Sequence, residues 1–195
     1  MRLEAEMVDE VNDLLGRIQE GYTNRDVDNI NDYYSKVFST ITNVSVVGTA
    51  NDEWFIGMKE VKELLRNDWL YWGDLKLNMA SLEIQLLTKE VVSFFIRGNV
   101  EKILQENKFF DGIMAAVTDE VNNSTSGRTK AIRALRHLSF FLTELDKGSE
   151  VVAPIRLTGT LVREESEWRV AQLHFSFGAE VFPPDLRLVD GKPVI

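Results

Sequence analysis

The chain has 195 residues, 44% of them hydrophobic and 27% charged, which suits one globular core. Its 22 Lys and Arg against 31 Asp and Glu give a net charge of −9, the wrong sign for reading nucleic-acid phosphates or docking on anionic lipid. With no Cys and two His, disulfides, thiolate chemistry and a multi-His metal centre within one chain are excluded, and neither metal nor cofactor is expected.

The first segment, MRLEAEMVDEVNDLLGRIQEG, carries acids where a signal peptide needs an apolar run. No stretch reaches the roughly 18 apolar residues of a spanning helix, so a cytoplasmic protein without membrane contact is expected. Val8, Val11, Leu14, Leu15, Ile18 and Tyr22 recur at three- and four-residue steps and predict an amphipathic helix over 4–21, ended by Gly21. Thr23 and Asp26 form a capping-box pattern for a second helix, with Val27, Ile30, Tyr34, Val37 and Phe38 inward. Residues 43–49 read as a short β-branched strand. Trp54-Phe55-Ile56-Gly57 then leads into a third helix with Val61, Leu64, Leu65 and Trp69 on one stripe.

Beyond Gly73 the period changes from helical to alternating. Leu75, Leu77 and Met79 alternate, then Leu82, Ile84 and Leu86 alternate in the opposite phase, which predicts a bulge near Ala80-Ser81. A turn at Thr88-Lys89 leads into a second strand. Two helical segments follow, one marked by Phe110, Ile113, Met114 and Val117, the other by Leu135, Leu138, Phe141 and Leu145. Two long strands, 151–163 and 168–177, finish the domain. Hairpins grouped after helices predict an α+β fold with an antiparallel sheet. The expected organisation is one domain over 1–178, with a helical insertion at about 105–148 and an extended Pro-bearing tail over 179–195. No Gly-rich phosphate loop is present in the sequence.

The last two strands hold the most information. If Glu164 pairs with Trp168, then Ile155, Leu157 and Leu161 share a face with Leu173, Phe175 and Phe177. Arg156, Thr158 and Thr160 then share the other face with Gln172, His174 and Ser176. A one-residue slip would mix the two sets. Burying a Leu or Phe is worth roughly 1.5–3 kcal/mol, so the apolar set belongs under the helices. The polar set is a solvated face, an isologous dimer interface, or the setting of a catalytic His174.

The segment WRVAQLHFSF (168–177) resembles the last strand of SnoaL-like proteins in the nuclear transport factor 2-like superfamily. YTNRDVDNI resembles the joint between their first two helices, and VVGTANDEWFIGMKEVKELLRNDW their first strand, Trp/Gly turn and third helix. The resemblance covers roughly residues 5–103 and 150–178. It implies a cone: a curved antiparallel sheet wrapped around N-terminal helices, with a pocket at the open end and a dimer interface on the sheet's outer face. It places Gln172, His174 and Ser176 outside and Arg169, Ala171, Leu173, Phe175 and Phe177 inside. The chain departs from relatives of known chemistry. Ketosteroid isomerase carries an Asp base on the first strand, where this chain has Gly48. Scytalone dehydratase and polyketide cyclases use His–Asp pairs inside the cone, where His174 is not expected.

The expected ligand pocket is therefore Tyr34, Trp54, Trp69, Leu157, Leu173, Phe175 and Phe177. The expected dimer interface is Arg156, Thr158, Thr160, Gln172, His174 and Ser176. No catalytic residue is assigned. Asp74 and Glu83 are possible cavity carboxylates, with an exposed position favoured for each. Arg97 reads as outward. Arg128, Lys130, Arg133 and Arg136 read as a solvated basic face or a contact with the acidic first helix, favoured over an anion site. The expected function is binding of a small apolar or aromatic molecule by a homodimer. The alternatives are a cofactor-free isomerase, dehydratase or cyclase using a cavity carboxylate, or a purely structural dimerisation module.

Overall fold

In the computed structural model, which describes residues 2–50, 53–103, 105–123, 126–146, 148–178, 187–189 and 192–194, the chain opens with helix α1 (Arg2–Asn24). Val11, Leu14, Leu15, Ile18 and Tyr22 of α1 are all buried and face β3 and β6. Gly21 does not end this helix. A Cβ there would lie 2.4 Å from the Tyr33 ring, so Gly21 provides close approach to α2 instead. The helix stops at Arg25, which takes a left-handed φ of 52°. The capping box is likewise not formed: the Thr23 hydroxyl donates to the Gln19 carbonyl, and Asp26 accepts from the Asn29 amide. Helix α2 (Ile30–Val37) begins six residues later than that pattern suggests.

Strands β1 (Ser45–Val47) and β2 (Trp54–Ile56) form a short hairpin that feeds α3 (Gly57–Tyr71). The long hairpin β3 (Asp74–Thr88) and β4 (Val91–Ile103) breaks register between Asn78 and Glu83, where the phase of the apolar residues slips. The insertion is a helical hairpin, α4 (Glu106–Asn123) and α5 (Gly127–Asp146). Strands β5 (Glu150–Glu164) and β6 (Glu167–Phe177) complete the sheet. Two three-residue strands, β7 (Arg187–Val189) and β8 (Lys192–Val194), pair with each other; the rest of the tail expected to be extended, 179–186, 190–191 and 195, falls outside the described residues.

The six-stranded sheet has the order β2-β1-β6-β5-β4-β3. It curves without closing. Every pair is antiparallel except β1 with β6, which makes the sheet mixed. Pairing of β5 with β6 follows the expected register from Ile155↔Phe177 to Thr160↔Gln172, then slips by one residue. Glu164 faces Glu167 rather than Trp168, across a two-residue turn in which Glu165 has φ 57°. The bulge at Ala171 corrects the inward set, because Trp168 and Val170 are buried while Arg169 and Ala171 are partly exposed. Tertiary burial wins: the slip hides Trp168 at the cost of one irregular residue.

The concave face carries Leu75, Val92, Phe94, Ile96, Ile155, Leu157, Leu161, Leu173 and Phe175 against the three N-terminal helices. Gly159 lies on this face too. A Cβ there would be 2.6 Å from the Gln172 carbonyl and 2.7 Å from the Phe94 ring, so the missing side chain is what lets Phe94 lie across β5.

Candidate functional site

The narrow end of the cone is filled. Leu157 and Leu173 are fully buried in the core, and Tyr34 stacks on Phe38 with ring centroids 5.0 Å apart. Trp69 is buried against Tyr33 at 5.0 Å. The wide end holds a cavity of about 530 Å³. It lies where β4 ends, β5 begins and β6 ends. Phe175 and Phe177 therefore line it, together with Val100, Val151 and Ala153 from the neighbouring strands. Helix α3 contributes Leu64, Asn67 and Asp68, followed by Trp72 and Gly73. The β1–β2 turn adds Gly48, Thr49, Ala50 and Glu53, and the inserted helices add Ile113, Arg136, His137 and Thr143.

Two of the seven expected pocket residues thus stand on the cavity wall. Tyr34, Trp69, Leu157 and Leu173 do not: Tyr34, Leu157 and Leu173 are packed into the core by α1 to α3, and Trp69 borders a separate hollow of about 210 Å³ between α1 and α2. Trp54 is 66% exposed and points away from the concave face, since it pairs with Val47 while the neighbouring Phe55 packs inward. Alternation along β2 decides this, and a strand rather than a helical entry at 54–56 sets the alternation.

An aromatic floor runs across the cavity base. The Trp72 ring lies 5.5 Å from Tyr22, 5.5 Å from Phe175 and 6.3 Å from Phe177. Arg25 fixes the chain under Trp72. Its guanidinium donates to the Trp69 carbonyl at 3.1 Å, to the Trp72 carbonyl at 2.9 Å and to Asp74 Oδ1 at 2.8 Å. Asp74 is therefore half of an ion pair that anchors the end of α3.

Asp68 is the residue that the sequence reading left out. It projects from α3 onto the cavity wall and accepts a 2.7 Å hydrogen bond from the Tyr22 hydroxyl. Burial is the main influence on its carboxyl and raises the pKa from 3.8 to about 7. The Tyr22 hydrogen bond opposes that rise and the nearby Glu53 charge adds to it. Burial also lifts the Tyr22 phenol well above its ordinary value, with the Asp68 charge adding to the rise, so Tyr22 stays a donor. Near neutrality the pair is a carboxyl poised between its two protonation states beside a fixed hydroxyl. That is the condition for general acid–base work.

Glu53 is held in place by the turn it closes, accepting from the Ala50 amide at 2.8 Å. Glu83 is exposed on the outer sheet face, as is Arg97. Arg136 of the basic cluster is on the cavity wall rather than on a solvated face or against α1, and His137 lies beside it on the same wall. Among the described residues no group of three or more His, Asp or Glu is arranged to hold a metal ion. No described helix is long and apolar enough to cross a membrane.

The expected interface residues do share the convex face. Register lines up Trp54, Val47, His174, Thr158, Phe95 and Glu83 as one row across all six strands. Ile56, Ser45, Gln172, Thr160, Ser93 and Gln85 form the next row. Ser176, Arg156, Arg97 and Asn78 form a third. His174 is thus on the side opposite the cavity.

No protein-family profile and no curated protein sequence matches the chain. Solved structures do. A nuclear transport factor 2-like superfamily protein from Salmonella enterica serovar Typhimurium is similar with a TM-score of 0.58 and 11% identity, covering 90% of this chain and 94% of that one. A proposed dehydratase of the nuclear transport factor 2-like family from Streptomyces avermitilis gives 0.57 and 11%, covering 90% and 99%. The hexachlorocyclohexane dehydrochlorinase LinA-type3 from Novosphingobium barchaimii gives 0.56 and 12%, covering 91% and 89%.

Proposed function

For a chain with the nuclear transport factor 2-like cone fold, we propose a small-molecule cavity in which Asp68 transfers a proton, assisted by Tyr22, in a cofactor-free isomerisation or elimination. The observation that carries this reading is a cavity carboxyl with a pKa raised to about 7 and a hydroxyl held on it at 2.7 Å. The ionised carboxyl takes a proton from a carbon next to a carbonyl. The bonding pair moves toward the carbonyl oxygen. The proton then returns at another carbon, or a group on the neighbouring carbon leaves with the electron pair. The apolar floor of Trp72, Phe175 and Phe177 keeps water from the carboxyl and gives an organic ligand its contact area.

The test is solvent exchange. The protein is incubated in deuterated buffer with a panel of small enolisable ketones and aldehydes, and deuterium incorporation is read by mass spectrometry. Incorporation above the buffer rate that disappears in Asp68→Asn supports the reading. Equal incorporation by both proteins refutes Asp68 as the base.

The second reading is the non-catalytic binder, and dimerisation is compatible with either. The convex rows support a homodimer: polar Thr158, Thr160, Gln172, His174 and Ser176 lie among the exposed Trp54, Ile56 and Phe95. This mixture of polar groups and large apolar side chains suits an isologous interface better than a solvated face. Light scattering at micromolar concentration is expected to give twice the chain mass, and the mass of one chain for Phe95→Asp. A wild-type monomer under those conditions removes the dimer.

A further inference from the structure

We infer that Glu53 is a positioning residue for Asp68: its carboxylate, seated in the space that Gly48 leaves open, opposes loss of the proton from Asp68. The inference rests on the cavity reading above and adds what regulates the proton there. The seat is built by the β1–β2 hairpin. Val46 pairs with Phe55 and Val47 with Trp54, and one step further the Gly48 amide donates to the Glu53 carbonyl at 2.8 Å. Side chains alternate along a strand, so with Trp54 outward Glu53 belongs to the inner side, where it lines the cavity. The Glu53 side chain then folds back across Gly48. A Cβ at Gly48 would lie 2.2 Å from Glu53 Oε2, 2.7 Å from its Cβ and 2.9 Å from its Cδ. The carboxylate thus occupies the place of a side chain on the opposing strand, and any other residue at 48 would displace it.

Two contacts fix the carboxylate in that seat. Glu53 Oε2 accepts from the Ala50 amide at 2.8 Å and from the Thr49 hydroxyl at 3.5 Å. Both donors are neutral, so neither cancels the charge. Helix α3 packs on β1 and β2, and Asp68 leaves it one turn after Leu64, which lines the same cavity. Two carboxyls from separate elements therefore share one wall, where like charges disfavour ionising both. Burial comes first in raising the Asp68 pKa, and the Glu53 charge adds to it. The Tyr22 hydroxyl works in the other direction, because it favours the carboxylate. A base of raised proton affinity takes a proton from carbon more readily, and Glu53 contributes this through Asp68, with no need to touch the substrate. The other charged or titratable groups described on the cavity wall are Lys102 from β4 and Arg136 and His137 from α5, and Arg25 and Asp74 form their ion pair under Trp72. All of these are the same in the wild type and in Glu53→Gln, so the difference between the two proteins reads Glu53.

The test is the titration of Asp68 itself, followed by NMR of protein labelled with carbon-13 at the Asp carboxyls. The Asp68 signal is the one missing from Asp68→Asn. Glu53→Gln keeps the side-chain length and an oxygen to accept from Ala50, and its Asp68 midpoint is expected to fall by about half a pH unit or more. Glu83→Gln removes the same charge from the exposed outer face and should leave the midpoint at its wild-type value. Gly48→Ala keeps the charge and fills its seat, so Asp68 should titrate below its wild-type value there too. Each variant is first shown to unfold cooperatively in urea. An unmoved midpoint in Glu53→Gln or in Gly48→Ala, or an equal fall in Glu83→Gln, overturns the inference. The titration needs no substrate. A fallen midpoint in a protein that exchanges no deuterium upholds the role of Glu53 and refutes only the proton transfer to substrate. Exchange that depends on Asp68, with an unmoved midpoint in Glu53→Gln, does the reverse. Where exchange occurs, its rise with pH should shift down together with the midpoint.

Discussion

Replacing Asp68 by Asn should make the protein more stable above neutral pH and change its dependence on pH. The carboxyl has a pKa of about 7 in the folded chain against 3.8 for an unperturbed Asp. The folded state therefore holds a proton that the unfolded state releases between those two values. Stability falls as pH rises through that window, because ν for the unfolded state is the smaller. At about 1.4 kcal/mol per pH unit, the rise corresponds to about 4 kcal/mol as an upper bound, fully lost by about pH 8. Asn has nearly the same shape, its carbonyl oxygen can accept the Tyr22 hydroxyl, and it carries no charge. At pH 8 the variant should exceed the wild type by about 2–4 kcal/mol, and at pH 4 the two should lie within about 1 kcal/mol. Urea unfolding at both pH values reads this directly, and all other titrating groups cancel in the comparison. For a chain of this length the pH 8 difference is worth about 4–16 °C in melting temperature. Parallel pH dependences for the two proteins would show that Asp68 ionises normally and would remove the basis of its proposed role. A gain in stability with loss of exchange activity is the pattern of a group kept for chemistry at the expense of the fold.

Leu157 is fully buried at the middle of β5, so Leu157→Ala should cost about 2–5 kcal/mol in chemical unfolding. A loss below about 1 kcal/mol would mean that the cone's narrow end is loosely packed. Gly159→Ala places a methyl 2.6 Å from a backbone carbonyl and should destabilise by about 1–3 kcal/mol. Gly112→Ala in the interior of α4 meets nothing within 4 Å and should stabilise by about 0.5–1 kcal/mol. The opposite signs of the two Gly substitutions, measured by the same unfolding assay, check whether close approach or helix entropy governs each site.

Much of the fold was legible because burial imposes a period. The register of β5 and β6 from Ile155 to Thr160 follows from keeping six apolar side chains on one face. The phase slip of β3 marks its bulge. The helical insertion before the last two strands consists of α4 and α5, from Glu106 to Asp146. What failed were local rules overridden by tertiary contact. Gly21 has the residue type of a helix stop, yet its role is to admit Tyr33. Glu165 takes a left-handed turn that no Gly or Asn announces, and the two-residue turn it makes possible shifts the end of the hairpin by one residue.

The site was harder to read because its key residue looks like an ordinary surface acid. Val61, Leu64, Leu65 and Trp69 define the inward stripe of α3, and Asp68 follows the first three at seven, four and three residues and immediately precedes Trp69. A carboxyl in that position has to be buried, and a buried carboxyl needs a partner. Tyr22 has the matching property on α1: it completes the stripe of Val11, Leu14, Leu15 and Ile18 with a hydroxyl that cannot be left unpaired. Each residue alone is a polar tip on an apolar face. Their pairing across 46 positions depends on α1 and α3 meeting inside the cone, and no spacing along the chain encodes that meeting. The cations follow the same logic, since Arg136 is solvent-facing in any isolated helix and reaches the cavity only because the insertion lies at its mouth. An ionisable residue interrupting a helix's inward stripe is therefore the feature to look for in chains of this fold. It marks the point where the core gives up apolar contact, and the cavity beside it supplies the reason.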